Sequence, residues 1–305
     1  MCYQNDLTII SEFVTFCQCI LGLSHKTGYA YSCDLSQLAY FTNFNRSKVL
    51  LDLNHHDLID CLNDLIQQNK ARRIVTIGRK VATYRKFFSW AVESNLIENN
   101  PAERLPVMRD QTRLPLALNS MYIEQILELF AVGPLELRNR LIVAMLYDTG
   151  LRVSELAAIQ LHHLDLSTGC IRVVGKGKKE RMVLFSKSTR DSIIDYIQNV
   201  RFNILKNPFS TPYLFVTYRG GGIHRNTILW IVKSMAKKAG VPEYLVSPHK
   251  FRHSFAVHML DGGSHILAIK MLLGHECISS TEIYTRLTVS SLKKVHALHH
   301  PRGNF

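Results

Sequence analysis

Apolar residues repeat at helical spacing along the first hundred residues of this chain. They recur every three or four positions in four stretches, 9–20, 29–41, 58–65 and 74–95. This spacing lines one face of a helix, so each stretch predicts an amphipathic helix. Asn100-Pro101 ends the pattern, because a residue that precedes proline is biased away from helical geometry. We therefore expect an all-helical N-terminal part.

A break in the pattern follows at residues 106–115. This segment has two prolines, charges of both signs and no apolar periodicity, which is typical of a linker. A chain of 305 residues is long enough to build two separate cores. The sequence thus predicts one domain over 1–105, a linker over 106–115 and a second domain over 116–305.

The second part is also mainly helical but contains one pair of strand-like runs. Helical spacing covers 120–130, 135–149, 186–205, 226–239 and most of the chain after 248, and a short helix follows Arg152. Cys170–Val174 and Arg181–Leu184 are rich in β-branched residues and flank a turn with three lysines, as in a hairpin. The predicted fold class is mainly α with a small antiparallel β-sheet.

Composition points to a polyanionic partner. The net charge is +13, with 37 basic and 24 acidic residues, and such an excess favours nucleic acid first and an anionic membrane surface second. Apolar runs fall short of the roughly 18 residues that a membrane span needs. The N-terminus lacks the basic start of a signal peptide, and the seven cysteines are scattered, as in reduced proteins. We expect a cytoplasmic protein without membrane insertion.

Basic residues also mark one predicted helix of the N-terminal part. Arg79, Lys80, Arg85 and Lys86 lie on one side of the stretch 74–95. They form either a solvated helix face or a surface that contacts DNA.

Chemistry-bearing side chains concentrate between Ser247 and Arg286. His249 and Arg252 are three residues apart, so they share a helix face. His275 follows Leu-Leu-Gly, and Tyr284 comes nine residues later.

Two further candidates lie upstream. Arg152 stands at a loop-to-helix junction, where Glu155, one turn later, is placed to hold its guanidinium. Lys176 is the first of the three lysines in the hairpin turn.

These residue types favour phosphoryl transfer without a metal. Arginine binds phosphate oxygens through its fork of N–H groups, a phenol is a possible covalent nucleophile, and imidazole and ammonium groups transfer protons. Clustered carboxylates, the usual Mg²⁺ ligands, are missing, and the remaining histidines do not have the spacing of a zinc site. The set predicts a phosphotyrosine intermediate, with no metal and no cofactor.

The order and spacing of these residues resemble a known family. The strings TGLRVSELAAIQL, GKGKKERMV, HKFRHSFAVHML and LLGHECISSTEIYTR are similar to those of the tyrosine recombinases, or phage-integrase family, and look most like the Xer-type chromosome-dimer resolvases. The likeness extends from about Ile10 to Arg302, and the terminal His-His-Pro-Arg favours the XerD branch.

The resemblance implies an architecture and a role for each candidate residue. The N-terminal domain would be a helical SAM-like core-binding domain that clamps DNA, and the C-terminal one a catalytic domain ending in an exchange helix. Tyr284 would attack the scissile phosphate and form a 3′-phosphotyrosine bond. Arg152 and Arg252 would contact the nonbridging oxygens, and Lys176 would protonate the leaving 5′-oxygen. His249 would assist proton transfer from the tyrosine, and His275 would donate a hydrogen bond to the phosphate.

It also implies partners and a biological role. The substrate would be a double-stranded DNA recombination site, bound by a tetramer with a related, XerC-like recombinase and assisted by the septal DNA translocase. The role would be resolution of chromosome or plasmid dimers in the cytoplasm, at the nucleoid. The residues leave open an integrase of a phage or mobile element, and a DNA-binding protein without catalysis.

Overall fold

The structure of the protein, a computed structural model, describes residues 2–68, 73–106, 117–175, 180–205, 211–274 and 289–303. The chain divides into two compact units, Met1–Leu114 and Pro115–Phe305. The expected linker, 106–115, lies almost entirely outside the described residues, so its boundaries remain a prediction.

The N-terminal unit is helical where it is described. Its α-helices are α1 (Cys2–Cys19), α2 (His25–Arg46), α3 (His55–Gln68) and α4 (Arg73–Glu93). Ser24 caps α2, because its Oγ accepts a hydrogen bond from the Thr27 amide at 3.2 Å, a role for which serine is favoured. The aromatic rings of Phe13, Phe87 and Trp90 pack together in the core.

Most of the basic residues of α4 are held within this unit. Lys80 is buried and donates to Asp34 Oδ1 at 3.0 Å, and Arg79 donates to the same carboxylate from Nη2 at 2.8 Å. Arg85 donates from Nε to the Ala102 carbonyl at 3.3 Å. Lys80 is therefore part of a buried ion-pair network and does not belong to a solvated face.

The C-terminal unit combines helices with one small sheet. Its helices are α5 (Ser120–Leu127), α6 (Pro134–Thr149), α7 (Val153–Ala157), α8 (Lys187–Asp195), α9 (Arg201–Ile204), α10 (Arg225–Lys238), α11 (Pro248–Asp261), α12 (Ile266–Leu273) and α13 (Val289–His299). The strands β1 (Leu164–Asp165), β2 (Cys170–Val174) and β3 (Glu180–Leu184) form an antiparallel sheet in that order. The predicted fold class, mainly α with a small antiparallel sheet, is confirmed.

Helix α6 is the centre of this unit. Every residue from Leu141 to Thr149 is buried, as expected for a helix whose C-terminal half is apolar on nearly all sides. It packs against α8, α10 and α11. The end of α6 therefore places Gly150 and Leu151 inside the unit and Arg152 at its surface.

Several element boundaries differ from those expected. Helix α5 ends at Leu127 and α7 at Ala157, about three residues earlier than their apolar patterns suggest. The expected helix over 186–205 contains a π-helical turn, Tyr196–Val200, between α8 and α9. Strand β1 has only two residues, too few for an alternating pattern to show.

Candidate active site

Arg152 is fixed at the start of α7 by Gly150, two residues before it, and by Glu155, three residues after it. Gly150 ends α6 with a φ of 61°, the left-handed geometry that favours glycine. A Cβ at Gly150 would lie 2.8 Å from atoms of both Leu273 and Phe255, so the turn also requires a residue without a side chain. The Arg152 amide donates to Glu155 Oε2 at 2.8 Å.

Glu155 links two arginines through one carboxylate. Its Oε1 accepts from Arg152 Nη1 at 2.8 Å and from Arg181 Nη1 at 2.9 Å. Its Oε2 accepts from Arg181 Nη2 at 2.8 Å. Burial opposes ionisation of this carboxyl, but the hydrogen bonds from Arg181 and Arg152 outweigh it and lower its pKa to about 2. The carboxylate is therefore charged at neutral pH.

Arg152 remains accessible although it is held. Its side chain is 40% exposed, whereas that of Glu155 is 5% exposed. Arg152 also lines a cavity of about 400 Å³, together with Glu155, His163, Arg172 and Gly175. A phosphate can reach this guanidinium without displacing the glutamate.

Arg252 is buried against the same turn. From α11, its Nη1 donates to the Gly150 carbonyl at 2.6 Å and its Nη2 to the Leu273 carbonyl at 2.8 Å. Burial lowers its pKa to about 10, and the positive charges of Arg152 and Arg181 add to this effect. Arg252 is still a cation at neutral pH, with three further N–H donors in its fork.

His249 lies on the same helix as Arg252. Ser247 caps α11 by accepting a hydrogen bond from the Lys250 amide at 3.2 Å, and Pro248 occupies the first turn, a favoured position for proline. This start leaves His249 exposed in the first turn, one helical turn before Arg252. The structure thus places Arg252 against the turn that precedes Arg152 and His249 one helical turn before Arg252 on α11.

The other three predicted site residues, Lys176, His275 and Tyr284, lie outside the described residues. Two of their described neighbours lie at the arginine cluster. Gly175 lines the cavity beside Arg152. A Cβ at Gly274 would lie 2.5 Å from Arg181 Cδ, so Gly274 is in close contact with that side chain.

Arg181 is a member of this cluster that the sequence analysis did not single out. It lies on β3 opposite Val173 of β2, and its side chain is 14% exposed. Strand alternation puts Arg181 on the same face as the buried Val183. An arginine on the inward face of a strand requires a carboxylate partner, and this signal was available in the sequence.

A second buried cluster joins α13 to the end of α6. His296 Nε2 lies 2.8 Å from the Asp148 carbonyl oxygen, and His300 Nδ1 lies 3.6 Å from Asp148 Oδ1. Asp148 Oδ2 accepts from the Ser186 amide at 2.7 Å. Helix α13 therefore packs against its own unit, and its docking on a neighbouring subunit remains a prediction.

Within the described residues, the ligand atoms of one buried group lie close enough together to hold a metal ion. This group is Asp148, His296 and His300. The nitrogens nearest the carboxylate already bond main-chain groups, because His296 Nε2 pairs with the Asp148 carbonyl and His300 Nδ1 accepts from the Arg302 amide at 3.1 Å. Burial lowers the pKa of His300 to about 3, so it is neutral at physiological pH. We assign this cluster a structural role.

No helix in the described ranges is both long and apolar enough to cross a bilayer.

Family models match both units of the chain. The phage integrase family matches residues 117–290, and the N-terminal SAM-like domain of phage integrases matches residues 10–95.

Curated relatives match over nearly the whole length. Tyrosine recombinase XerD of Listeria innocua is 32% identical, covering 98% of this chain and 100% of that protein. Tyrosine recombinase XerD of Ralstonia nicotianae is 34% identical, with coverage of 92% and 90%. Tyrosine recombinase XerC of Oceanobacillus iheyensis is 33% identical, with coverage of 99% of each chain.

Solved structures share the fold. XerH site-specific recombinase, bound to its palindromic difH substrate, has a TM-score of 0.70 and 19% identity, covering 95% of this chain and 84% of that one. The Tn1549 transposon integrase, in complex with circular intermediate DNA, has a TM-score of 0.69 and 18% identity, with coverage of 94% and 98%. The chain belongs to the phage integrase family, as a XerD-like, Xer-type tyrosine recombinase that breaks and rejoins DNA strands at specific sites.

Proposed function

We propose that Arg152 and Arg252 bind the two nonbridging oxygens of the scissile DNA phosphate. The observation that carries this is their shared anchor. Arg252 donates to the carbonyl of Gly150, two residues before Arg152, and Arg152 is held by Glu155. Two preorganised guanidiniums aimed at one anion stabilise the charge that develops in a phosphoryl-transfer transition state.

The nucleophile in this proposal is Tyr284. Its Oη attacks the phosphorus, so that a phosphorus–tyrosine bond forms and the bond to the 5′-oxygen breaks. His249 assists removal of the phenol proton, Lys176 donates a proton to the leaving 5′-oxygen, and His275 hydrogen-bonds the phosphate. Attack by a 5′-hydroxyl on the phosphotyrosine reverses each step, so rejoining needs neither ATP nor a metal.

The biological role that we propose is resolution of chromosome or plasmid dimers in the cytoplasm, at the nucleoid. Relatives named XerD and XerC, at 32–34% identity, support a tetramer formed with a related, XerC-like recombinase on one DNA site. The net charge of +13 favours binding to the DNA backbone. A septal DNA translocase would be a further partner, and α13 would be the helix exchanged between subunits.

The test is covalent trapping on a nicked suicide duplex that carries the recombination site, without added metal. We expect a protein–DNA band that survives denaturation, and we expect Tyr284→Phe to abolish it while gel-shift binding persists. Tyr213→Phe, at a half-buried tyrosine, is the matched control. A covalent band of normal strength in Tyr284→Phe would overturn the assignment of the nucleophile.

A further inference from the structure

Arg181 makes the most complete contact in the arginine cluster. Its two terminal nitrogens bond the two oxygens of Glu155 at 2.9 and 2.8 Å, which is a bidentate pair. Arg152 reaches the same carboxylate with one side-chain nitrogen only. The fork of Arg181 therefore determines how the Glu155 carboxylate is oriented, and this carboxylate in turn holds Arg152.

The charge of Glu155 is shared unequally. Burial raises the pKa of Glu155, and the first of the contacts that lower it is the side-chain hydrogen bond from Arg181, followed by the main-chain and side-chain hydrogen bonds from Arg152. Arg181 is thus the leading partner of the carboxylate. Arg152, 40% exposed, is left accessible to a ligand.

Arg181 also contacts the residue that precedes His275. Gly274 ends α12 with a φ of 65°, and an added Cβ would lie 2.5 Å from Arg181 Cδ and 2.7 Å from its Nε. Arg181 Nε is buried and has no hydrogen-bond partner in the described part of the chain. The shaft of this arginine therefore supports the end of α12, while its fork holds α7.

The position of Arg181 along the chain connects a third segment. It is the second residue of β3, and it pairs with Val173 of β2, two residues before Gly175, which lines the cavity beside Arg152. Arg181 thus joins α7, the end of α12 and the β2–β3 pair.

We propose that Arg181 is a positioning residue for strand cleavage, which holds Glu155 so that Arg152 stays free to bind phosphate and which supports the end of α12. This inference rests on the proposed catalytic role of Arg152. Arg181 itself does not contact the phosphate in this proposal.

The test compares Arg181→Met and Arg181→Lys with the wild type on the suicide duplex. We expect the cleavage rate at saturating protein to fall about 100-fold in Arg181→Met, the scale of a misplaced catalytic group. We expect the dissociation constant for DNA to stay within about twofold, because the phosphate contacts remain. Arg181→Lys, which keeps the charge but not the fork, should lose about 10-fold. Arg190→Met is the matched control, since Arg190 is partly exposed and its Nε lies 3.6 Å from Asp191.

Two further readouts separate positioning from a loss of stability. In Arg181→Met, Glu155 loses its strongest partner, so its pKa rises and cleavage gains a dependence on pH on the acid side that the wild type lacks. Adding Glu155→Gln to Arg181→Met should recover part of the lost rate, because the amide no longer neutralises Arg152. Thermal melting establishes that each variant is folded, and Arg181→Lys provides the comparison if Arg181→Met is not.

Wild-type cleavage rates in both Arg181 variants would overturn this inference and leave the proposed catalytic site intact. An equal loss of cleavage and of DNA binding would also overturn it, because Arg181 would then act in binding. A wild-type chain that forms no covalent complex on its site would contradict the proposed catalytic site, and the inference with it.

Discussion

Arg252 donates a 2.6 Å hydrogen bond to the carbonyl of Gly150, so one catalytic candidate is anchored to the turn that presents the other. The second anchor of Arg252 is the Leu273 carbonyl at 2.8 Å, at the end of α12. The guanidinium of Arg252, which lies on α11, thus bonds the ends of both α6 and α12. Movement of any of these three helices changes the distance between Arg152 and Arg252.

Replacing Arg252 is expected to slow cleavage by more than the loss of stability explains. Arg252→Ala should lower the cleavage rate by about 10²–10³, as for other lost charge-stabilising donors. It should also lower the free energy of unfolding by about 1–3 kcal/mol for each carbonyl left without a partner. Covalent trapping and urea unfolding measure the two effects.

Arg201→Ala is the control for Arg252. Arg201 is equally buried and donates to main-chain carbonyls of Thr211 and Tyr213 at 2.7 and 3.0 Å. It should lose comparable stability, yet the folded variant should cleave at the wild-type rate. Equal cleavage losses in the two variants would mean that Arg252 acts only through folding.

Gly150→Ala is expected to destabilise the protein more than the same substitution at a glycine of similar backbone geometry. The φ of 61° costs about 1 kcal/mol for alanine, and the added Cβ would lie 2.8 Å from Leu273 and Phe255, which adds about 2 kcal/mol of overpacking. Gly240→Ala, at φ 72° with open space around it, should cost only the first amount. Urea unfolding of both variants separates strain from crowding, and equal losses would contradict the predicted clash.

Glu155 is expected to make stability depend on pH in the acid range. Its pKa falls from 4.5 to about 2 on folding, so its contribution is complete above about pH 4.5 and is lost as pH falls towards 2. A pKa shift of this size contributes about 3 kcal/mol to the free energy of unfolding when Glu155 is fully ionised. About 1 kcal/mol of this contribution is lost at pH 3.5.

The measurement is the free energy of unfolding at pH 6 and pH 3.5. The wild type should lose about 1 kcal/mol more than Glu155→Gln over this interval, and the exposed Glu124→Gln should behave as the wild type. Identical pH dependence in the wild type and Glu155→Gln would show that the two arginines do not lower the pKa of Glu155.

His300 is expected to loosen α13 at mildly acid pH. Its pKa is lowered on folding from 6.5 to about 3, by burial first, with His296 and Arg302 adding to this and Asp148 opposing it. The contribution of neutral His300 to the free energy of unfolding is therefore present above pH 6.5 and is lost as pH falls below 6.5. The loss between pH 7 and pH 5 is about 2 kcal/mol.

Hydrogen-exchange protection factors of the α13 amides, corrected for intrinsic rates, measure this effect. They should fall between pH 7 and pH 5 in the wild type and stay nearly constant in His300→Gln. His56→Gln, at an exposed histidine of the N-terminal unit, should follow the wild type. Constant protection in the wild type would contradict a buried neutral His300.

The sequence predicted the elements that have a clear period. Strand β2 was expected at Cys170–Val174 and is found there, α6 begins and ends near its expected positions, and α11 begins at residue 248 as expected. The place of Arg152 before a short helix was also correct, because Gly150 and Glu155 are local signals for the end of one helix and the start of the next.

Features that depend on distant contacts were not predictable from the local pattern. Lys80 has the same local pattern as the exposed Arg79, and only the packing of α2 against α4 brings Asp34 to it. The inward position of Arg181 on β3 predicts a carboxylate partner, but the local pattern does not identify Glu155, 26 residues earlier, as that partner. Predictions for Lys176, His275 and Tyr284 rest on the sequence pattern alone.

Among the described residues, one carboxylate, that of Glu155, is shared by Arg152 and Arg181 beside Arg252, and this has a consequence for the choice of buffer. Burial first, and then repulsion from Arg152 and Arg181, lowers the pKa of Arg252, so this arginine cluster carries excess positive charge that any small multivalent anion relieves. Sulfate or inorganic phosphate should therefore act as a competitive inhibitor of the recombinase at concentrations where chloride at the same ionic strength does not. The enzyme would be fastest in solutions whose anions are weakly coordinating, and DNA would enter its site by anion exchange.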